Sequence, residues 1–160
     1  MELITDKKNH LLRQPAKPVD RVTPEIRNLI REMRQKMKQW HGVGLAAPQI
    51  GVDKRIFVAE IGYTPETEGK FCVLINPEII SRSAKTNEME EGCLSIPGKA
   101  GTISRHERIT IQGLDEMGKK KKIKASGFWA RVFQHEVDHL EGKLFIDRAT
   151  NLRDVDSPAL

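Results

Sequence analysis

The chain has 160 residues, with 27 Lys plus Arg against 22 Asp plus Glu, a formal charge of +5. That length fits one domain, which can bury roughly 70% of its unfolded surface and so needs no disulfides to fold. At 38% hydrophobic and 31% charged, the composition excludes a disordered chain, and the small basic excess points only weakly to an acidic partner such as a nucleic acid.

Two cysteines, Cys72 and Cys93, exclude a disulfide scaffold. They fit a reducing compartment, where a Cys accompanied by His serves as a metal ligand or nucleophile. No apolar run nears the roughly 18 residues of a membrane-spanning helix. The opening MELITDKKNH has neither signal nor transit character, so a cytoplasmic location and no membrane partner are expected.

The first clear element is a helix capped by Thr23, with Pro24 in its first turn and Glu25 at its positive end. Ile26, Leu29, Ile30, Met33, Met37 and Trp40 recur at helical spacing and form a core stripe, and Gly42 is the expected stop. Residues 41–51, HGVGLAAPQIG, are small and apolar, which suits a backbone that something approaches closely. Arg55 to Ile61 and Phe71 to Ile80 read as strands joined by a Gly/Pro/Glu loop, with Asn76-Pro77 breaking the second. Met89 to Gly98 is a short segment between turn formers. Thr102 to Leu114 reads as one strand, Asp115 to Gly118 as a hairpin turn, and Lys119 to Ala125 as the returning strand. Ser126 caps a second helix that runs to about Leu140 or Glu141, with Gly142 after it. Beyond Phe145-Ile146 the chain is polar from about residue 148 and ends near Ser157-Pro158. A helix, then several strands, then a helix predicts a single α+β domain over 1–160, with mostly antiparallel sheets.

The second helix carries the strongest chemical signal, Gln134-His135-Glu136-Val137-Asp138-His139. His135 and His139 are four apart, so on a helix they share a face one turn apart and can hold one metal ion. Glu136 can then reach a water on that metal. A catalytic metal needs a third protein ligand. The position where a third His would follow is Phe145, and Glu141 is too close in the chain, so the ligand comes from upstream. Cys93, Cys72, His41, His106 and several carboxylates are candidates. Cys93 stands out, set between Gly92 and Leu94-Ser95, whereas Cys72 lies in an apolar strand and reads as a core thiol. A thiolate with two imidazoles suits zinc or ferrous iron and argues against magnesium or calcium.

Three segments together resemble peptide deformylase: residues 42–49, GVGLAAPQ; residues 91–95, EGCLS; and residues 134–142, QHEVDHLEG. Their order and separations match the family too, and the resemblance runs from about Leu11 to Ile146. It implies a metal-dependent amidase that removes the formyl group from the N-terminal methionine of new polypeptides. Cys93, His135 and His139 would be the metal ligands, Fe(II) being favoured and Zn(II) or another transition metal sharing the set. Glu136 would be the general base toward a water on the metal. The Leu94 backbone N–H and the Gln49 side-chain amide would hold the oxyanion. A peptide could add as a strand near Gly44 and Gly92. Val43, Phe128 and Val132 would line the methionine pocket, and Glu91 and Arg105 would pair behind the Cys93 loop.

Two features depart from many bacterial relatives. Only about fourteen polar residues follow Ile146, where those relatives carry a long basic helix for ribosome docking. Arg131 is charged where some are apolar, and would contact substrate or stay solvated. Residues 125–131, ASGFWAR, resemble the organellar and plant-like branch. Expected partners are formylmethionyl peptides and nascent chains, with the ribosome as a further candidate and no sequence-specific nucleic acid. The alternatives are an HExxH metalloprotease with a Cys ligand, and a structural-zinc module that binds nucleic acid through Lys119 to Lys122 and Lys124.

Overall fold

The computed structural model describes residues 1–62 and 69–156. Most of the predicted Gly/Pro/Glu loop, and Ser157-Pro158, lie outside the described residues. A short helix α1 (His10–Arg13) precedes α2 (Pro24–Gln39), β1 (Gly44–Ala46), a 3-10 turn over Ala47–Ile50, β2 (Ile56–Ile61) and β3 (Lys70–Arg82). Then come β4 (Thr86–Gly92), β5 (Lys99–His106), β6 (Arg108–Leu114), β7 (Lys120–Ser126), α3 (Gly127–Leu140), a second 3-10 turn over Phe145–Asp147 and β8 (Thr150–Asp154). Every strand pair is antiparallel, in a five-stranded sheet ordered β1-β2-β3-β6-β7 and a three-stranded sheet ordered β4-β5-β8. This is the expected α+β class. Among the described residues no helix is long and apolar enough to cross a membrane.

The five-stranded sheet is covered on both faces, so its central strands are apolar without alternation. Phe57, Ala59, Cys72 and Leu74 face α3 and pack with Val132, Phe133 and Leu140. Ile56, Val58, Val73 and Ile75 face the other way, against Ile26, Ile30, Met33 and Met37 of α2. Burying each such side chain contributes about 1.5–3 kcal/mol, so this sandwich is the main source of stability. A third cluster, with Leu12, Ile96, Ile103, Leu144 and Phe145 around Cys93, packs the smaller sheet.

The helix ends show how local chemistry sets the boundaries. Thr23 accepts the Ile26 N–H as the predicted cap. At the other end of α2 the left-handed residue is His41 (φ 57°), not a glycine. The N–H of Gly42 reaches the Met37 carbonyl and that of His41 the Lys38 carbonyl, a Schellman pair. Gly42 is small for another reason: a Cβ there would come within 2.6 Å of Leu94 Cδ1. Helix α3 ends in the same motif with the predicted Gly142 in the left-handed position (φ 71°). Ser126 holds the N-cap position of α3, but its side chain makes no capping bond.

Four expectations about strands are corrected. Asn76-Pro77 does not end β3; the register shifts between Ile75 and Glu78, and the strand continues to Arg82. The Asn76 amide exchanges two 2.8 Å hydrogen bonds with the Val19 backbone, so a proline without an N–H is tolerated at the irregularity. Thr102 to Leu114 is two strands that part at Glu107 and join different sheets. Met89 to Gly98 is not one short segment: its first residues complete β4 (Thr86–Gly92). The polar stretch after Ile146 contains β8, which pairs with β5. The Asp115–Gly118 turn is as expected, with Asp115 N–H to Lys119 O and Gly118 at φ 77°.

One buried charge links α2 to the sheet. Glu60 on β2 accepts two hydrogen bonds from Arg34, at 2.8 and 2.9 Å, and pairs with Lys38 at 3.4 Å. The Arg34 hydrogen bond outweighs burial and lowers the Glu60 pKa. A carboxylate depressed in the folded state contributes stability above its unfolded pKa of about 4.3, lost as pH falls through the folded value. Glu60→Gln should therefore cost on the order of 1–3 kcal/mol at pH 7. The gap to the parent should stay constant down to about pH 5 and narrow below about pH 4 in urea titrations.

Candidate active site

Helix α3 lies against both sheets and presents its HExxH face to the gap between β1 and the turn after β4. Its buried residues include Arg131, Gln134, His135, Glu136 and His139, an unusual density of polar side chains away from water. Cys93 directly follows β4, and its sulfur faces that helix.

The donor atoms of Cys93, His135 and His139 lie within 4.8 Å of one another, and all three residues are buried. Cys93 Sγ is 3.2 Å from His139 Nε2. The His135 and His139 rings meet edge to face at 4.9 Å. His135 turns Nδ1 to Glu91 Oε2 at 2.9 Å, which leaves Nε2 toward the cluster. A soft thiolate converging with two imidazoles in a buried place fits one transition-metal ion. The buried His139 Nδ1 and Glu136 Oε2 have no hydrogen-bond partner among the described residues, whose groups thus leave this polar cluster unsatisfied. The other upstream candidates lie elsewhere. Cys72 is in the core cluster under α3, with its pKa raised by burial. His41 ends α2, and His106 Nδ1 bonds the Ser83 carbonyl at 2.7 Å. A closed Cys2His2 site is thus absent among the described residues.

Glu136 packs directly on β1. A Cβ on Gly44 would run into the Glu136 carboxylate, with Cδ only 2.8 Å away, so only glycine fits there. Burial pushes the Glu136 pKa up to about 7. Burial also holds His139 well below the usual imidazole value, reinforced by the charge of His135. For His135, burial opposes the charge, but the Cys93 sulfur and the Glu91 carboxylate outweigh it and push the pKa up to about 10.

Gln49 is buried in the 3-10 turn after β1. Its Oε1 accepts the Ala46 N–H at 2.8 Å, which aims Nε2 at Cys93 Sγ (3.6 Å) and Ser95 Oγ (3.2 Å). Leu94, next to Cys93, is buried against the α2 cluster. Gly44 lies on an outer strand of the larger sheet, and Gly92 ends an outer strand of the smaller one. Val132 is buried, Val43 packs against the same core cluster, and Phe128 is 38% exposed.

Behind the cluster, Glu91 is fully buried. Arg105 donates to both its oxygens, at 2.6 and 2.9 Å, which is the pairing expected from the sequence. Burial opposes ionisation of Glu91, but the His135 and Arg105 hydrogen bonds hold its carboxyl well below the usual carboxylate range. Arg131 neither faces solvent nor projects from the helix toward a ligand. It is 2% exposed and donates to Glu91 Oε1 at 2.6 Å. Sequence reasoning also missed Asp138, which accepts from Arg105 at 2.9 Å and Arg148 at 2.6 Å, and Ser95 beside Gln49. The available signal was an arginine on the inward stripe of α3, which demanded a buried acid.

The family model described as Polypeptide deformylase matches residues 1–155. A peptide deformylase of Halothermothrix orenii is 50% identical over 143 residues, 89% of this chain and 89% of the relative. The crystal structure of a Synechococcus elongatus peptide deformylase in complex with actinonin superposes with a TM-score of 0.89 at 41% identity, covering 94% of this chain and 81% of that one. A Met-Ala-Ser-bound peptide deformylase from Acinetobacter baumannii superposes with a TM-score of 0.86 at 33% identity, over 92% and 97% of the two chains. With the fold and nearly the whole length matched, the chain belongs to the peptide deformylase family, metal-dependent hydrolases that act on formylated nascent peptides.

Proposed function

We propose that the chain acts as one catalytic domain that hydrolyses the formyl group from N-terminal formylmethionine, with Cys93, His135 and His139 holding one divalent metal. The observation that carries this reading is the convergence of those three donors beside the buried carboxylate of Glu136. Fe(II) is the favoured metal and Zn(II) the alternative, since both accept a thiolate with two imidazoles. When bound, the ion supplies a Lewis acid that lowers the pKa of water and polarises the formyl oxygen.

The chain's own groups then divide the work. Glu136 takes a proton from the attacking water and passes it to the departing amine nitrogen, a cycle suited to a carboxylate whose pKa burial raises. The new bond joins the water oxygen to the formyl carbon, the C–N bond breaks, and formate and a free amine leave. Gln49 Nε2 and the Leu94 N–H donate to the oxyanion, and the Ala46–Gln49 bond keeps the amide from turning over. The peptide lies as an added strand along Gly44 and Gly92, supported by the outer positions of β1 and β4. Val43, Phe128 and Val132 receive the methionine side chain of a peptide such as the Met-Ala-Ser bound by the Acinetobacter baumannii relative. The cytoplasm is the proposed place of action. A net charge of +5 favours approach to the ribosome, where formylated chains emerge.

Anaerobic purification with metal analysis should yield one iron or zinc per chain, alongside formate release from a formyl-Met peptide. Neither metal nor formate would reject the assignment. Stripping the ion with a chelator should abolish formate release, and Fe(II) or Zn(II) should restore it. Glu136→Gln should retain the metal while kcat falls about 10²–10⁴-fold; turnover at the parent rate would remove Glu136 from its role. Gly44→Ala forces the Glu136 carboxylate aside, and kcat/KM should drop about 10²-fold with little change in metal content.

A further inference from the structure

We propose that Arg131 is a positioning residue that sets the His135 ring through Glu91 and, with the same guanidinium, holds the β4 edge strand beside the site. Three observations carry this.

The first is reach. Arg131 Nη1 donates to Glu91 Oε1 at 2.6 Å and to the Ile103 carbonyl at 3.1 Å. Nη2 donates to the Asn87 carbonyl at 2.9 Å and to Asn87 Oδ1 at 2.6 Å. One planar group thus joins α3 to β4 and β5, one helical turn before His135.

The second is redundancy of charge. Arg105 already donates to both oxygens of Glu91. Arg131 is therefore a second cation on a carboxylate that is already paired. It adds a fixed direction, because a guanidinium fork constrains geometry in a way a point charge does not.

The third is cost. The side chain is 2% exposed, and its Nε is buried with no hydrogen-bond partner among the described residues. A buried ion pair replaced whole by apolar residues of similar volume often loses no stability, whereas removal of one partner alone is strongly destabilising. With those acceptors in place the arginine is required for stability, and what it adds beyond charge is the placing of Glu91, and with it His135. Carboxylates that hold a ligating His typically alter metal affinity 10–100-fold when disturbed.

The inference rests on the reading that Cys93, His135 and His139 hold the metal. Its test uses full-length Arg131→Met and Arg131→Lys, with Zn(II) as the probe. Zn(II) affinity is measured by chelator competition at 25 °C, and kcat and KM with a formyl-Met tripeptide. Both variants should bind Zn(II) about 10–100-fold more weakly than the parent, with Lys failing to rescue because it lacks the fork. Nitrogen-15 shifts of His135 should report a loosened ring, a change that lost stability alone would not cause. Asn87→Ala removes one of the bonds to β4, and should raise KM several-fold while leaving Zn(II) affinity within twofold. Parent-like affinity and KM in Arg131→Met would overturn the proposal. If that variant does not fold, the same result in Arg131→Lys would do so. A parent chain that binds no Zn(II) would instead defeat the metal reading itself.

Discussion

Glu91 carries a negative charge into a place that water does not reach, and the rest of the centre is arranged around that fact. An unpaired buried carboxylate costs several kcal/mol, so its partners must all arrive together. They come from different directions: Arg105 from β5, and Arg131 and His135 from α3. Meeting them sets the rotation of α3, while the β4–β5 register opposes Glu91 to Gly101. Cys93, two residues after Glu91, is then carried to its place against His139 with little freedom left. The same carboxylate therefore orients one imidazole by contact and positions the thiolate through the chain.

The apolar sandwich does a different job. It gives α3 a rigid floor, since Phe133 packs on Phe57 of β2 at 5.5 Å. On that floor β1 can pass so close to Glu136 that no side chain fits at Gly44. Close approach presses the carboxylate into a dry environment, and dryness raises its pKa toward neutrality. The glycine pattern, the burial of the base and its protonation range are thus one physical arrangement.

Much of this was legible in the residues, and the boundary follows the range of the forces. Helices α2 and α3, strands β2 and β3, and the β6–β7 hairpin have local signals: a period, a cap, a turn with a glycine. Strand β8 has none, because all five of its residues are exposed and only pairing with β5 makes it a strand. The same holds for most of β4, whose outer residues, Met89 apart, are charged or polar. The parting of β5 from β6 at Glu107 has no glycine or proline to mark it. It becomes visible only when each half finds a different sheet.

The candidate site divides in the same way. Spacing of four marks His135 and His139 as neighbours, because the helix period is local. That Cys93 rather than Cys72 joins them depends on where two strands end, which spacing cannot compute; the local contrast, apolar strand against glycine-flanked turn, stood in for it. Arg131 shows where such contrasts stop. Its position on the inward stripe was readable, but its partners Glu91, Asn87 and Ile103 belong to strands 28 to 44 residues away. Comparison of the two long helices supplies the missing inference. The buried residues of α2 are all apolar, Ile26, Ile30, Met33 and Met37, while α3 buries an arginine, a glutamine, two histidines and a glutamate. Polar groups survive in a core only when each is satisfied or used. A helix whose inward stripe is polar therefore predicts a shell of equally buried partners around it, even before any of them can be named.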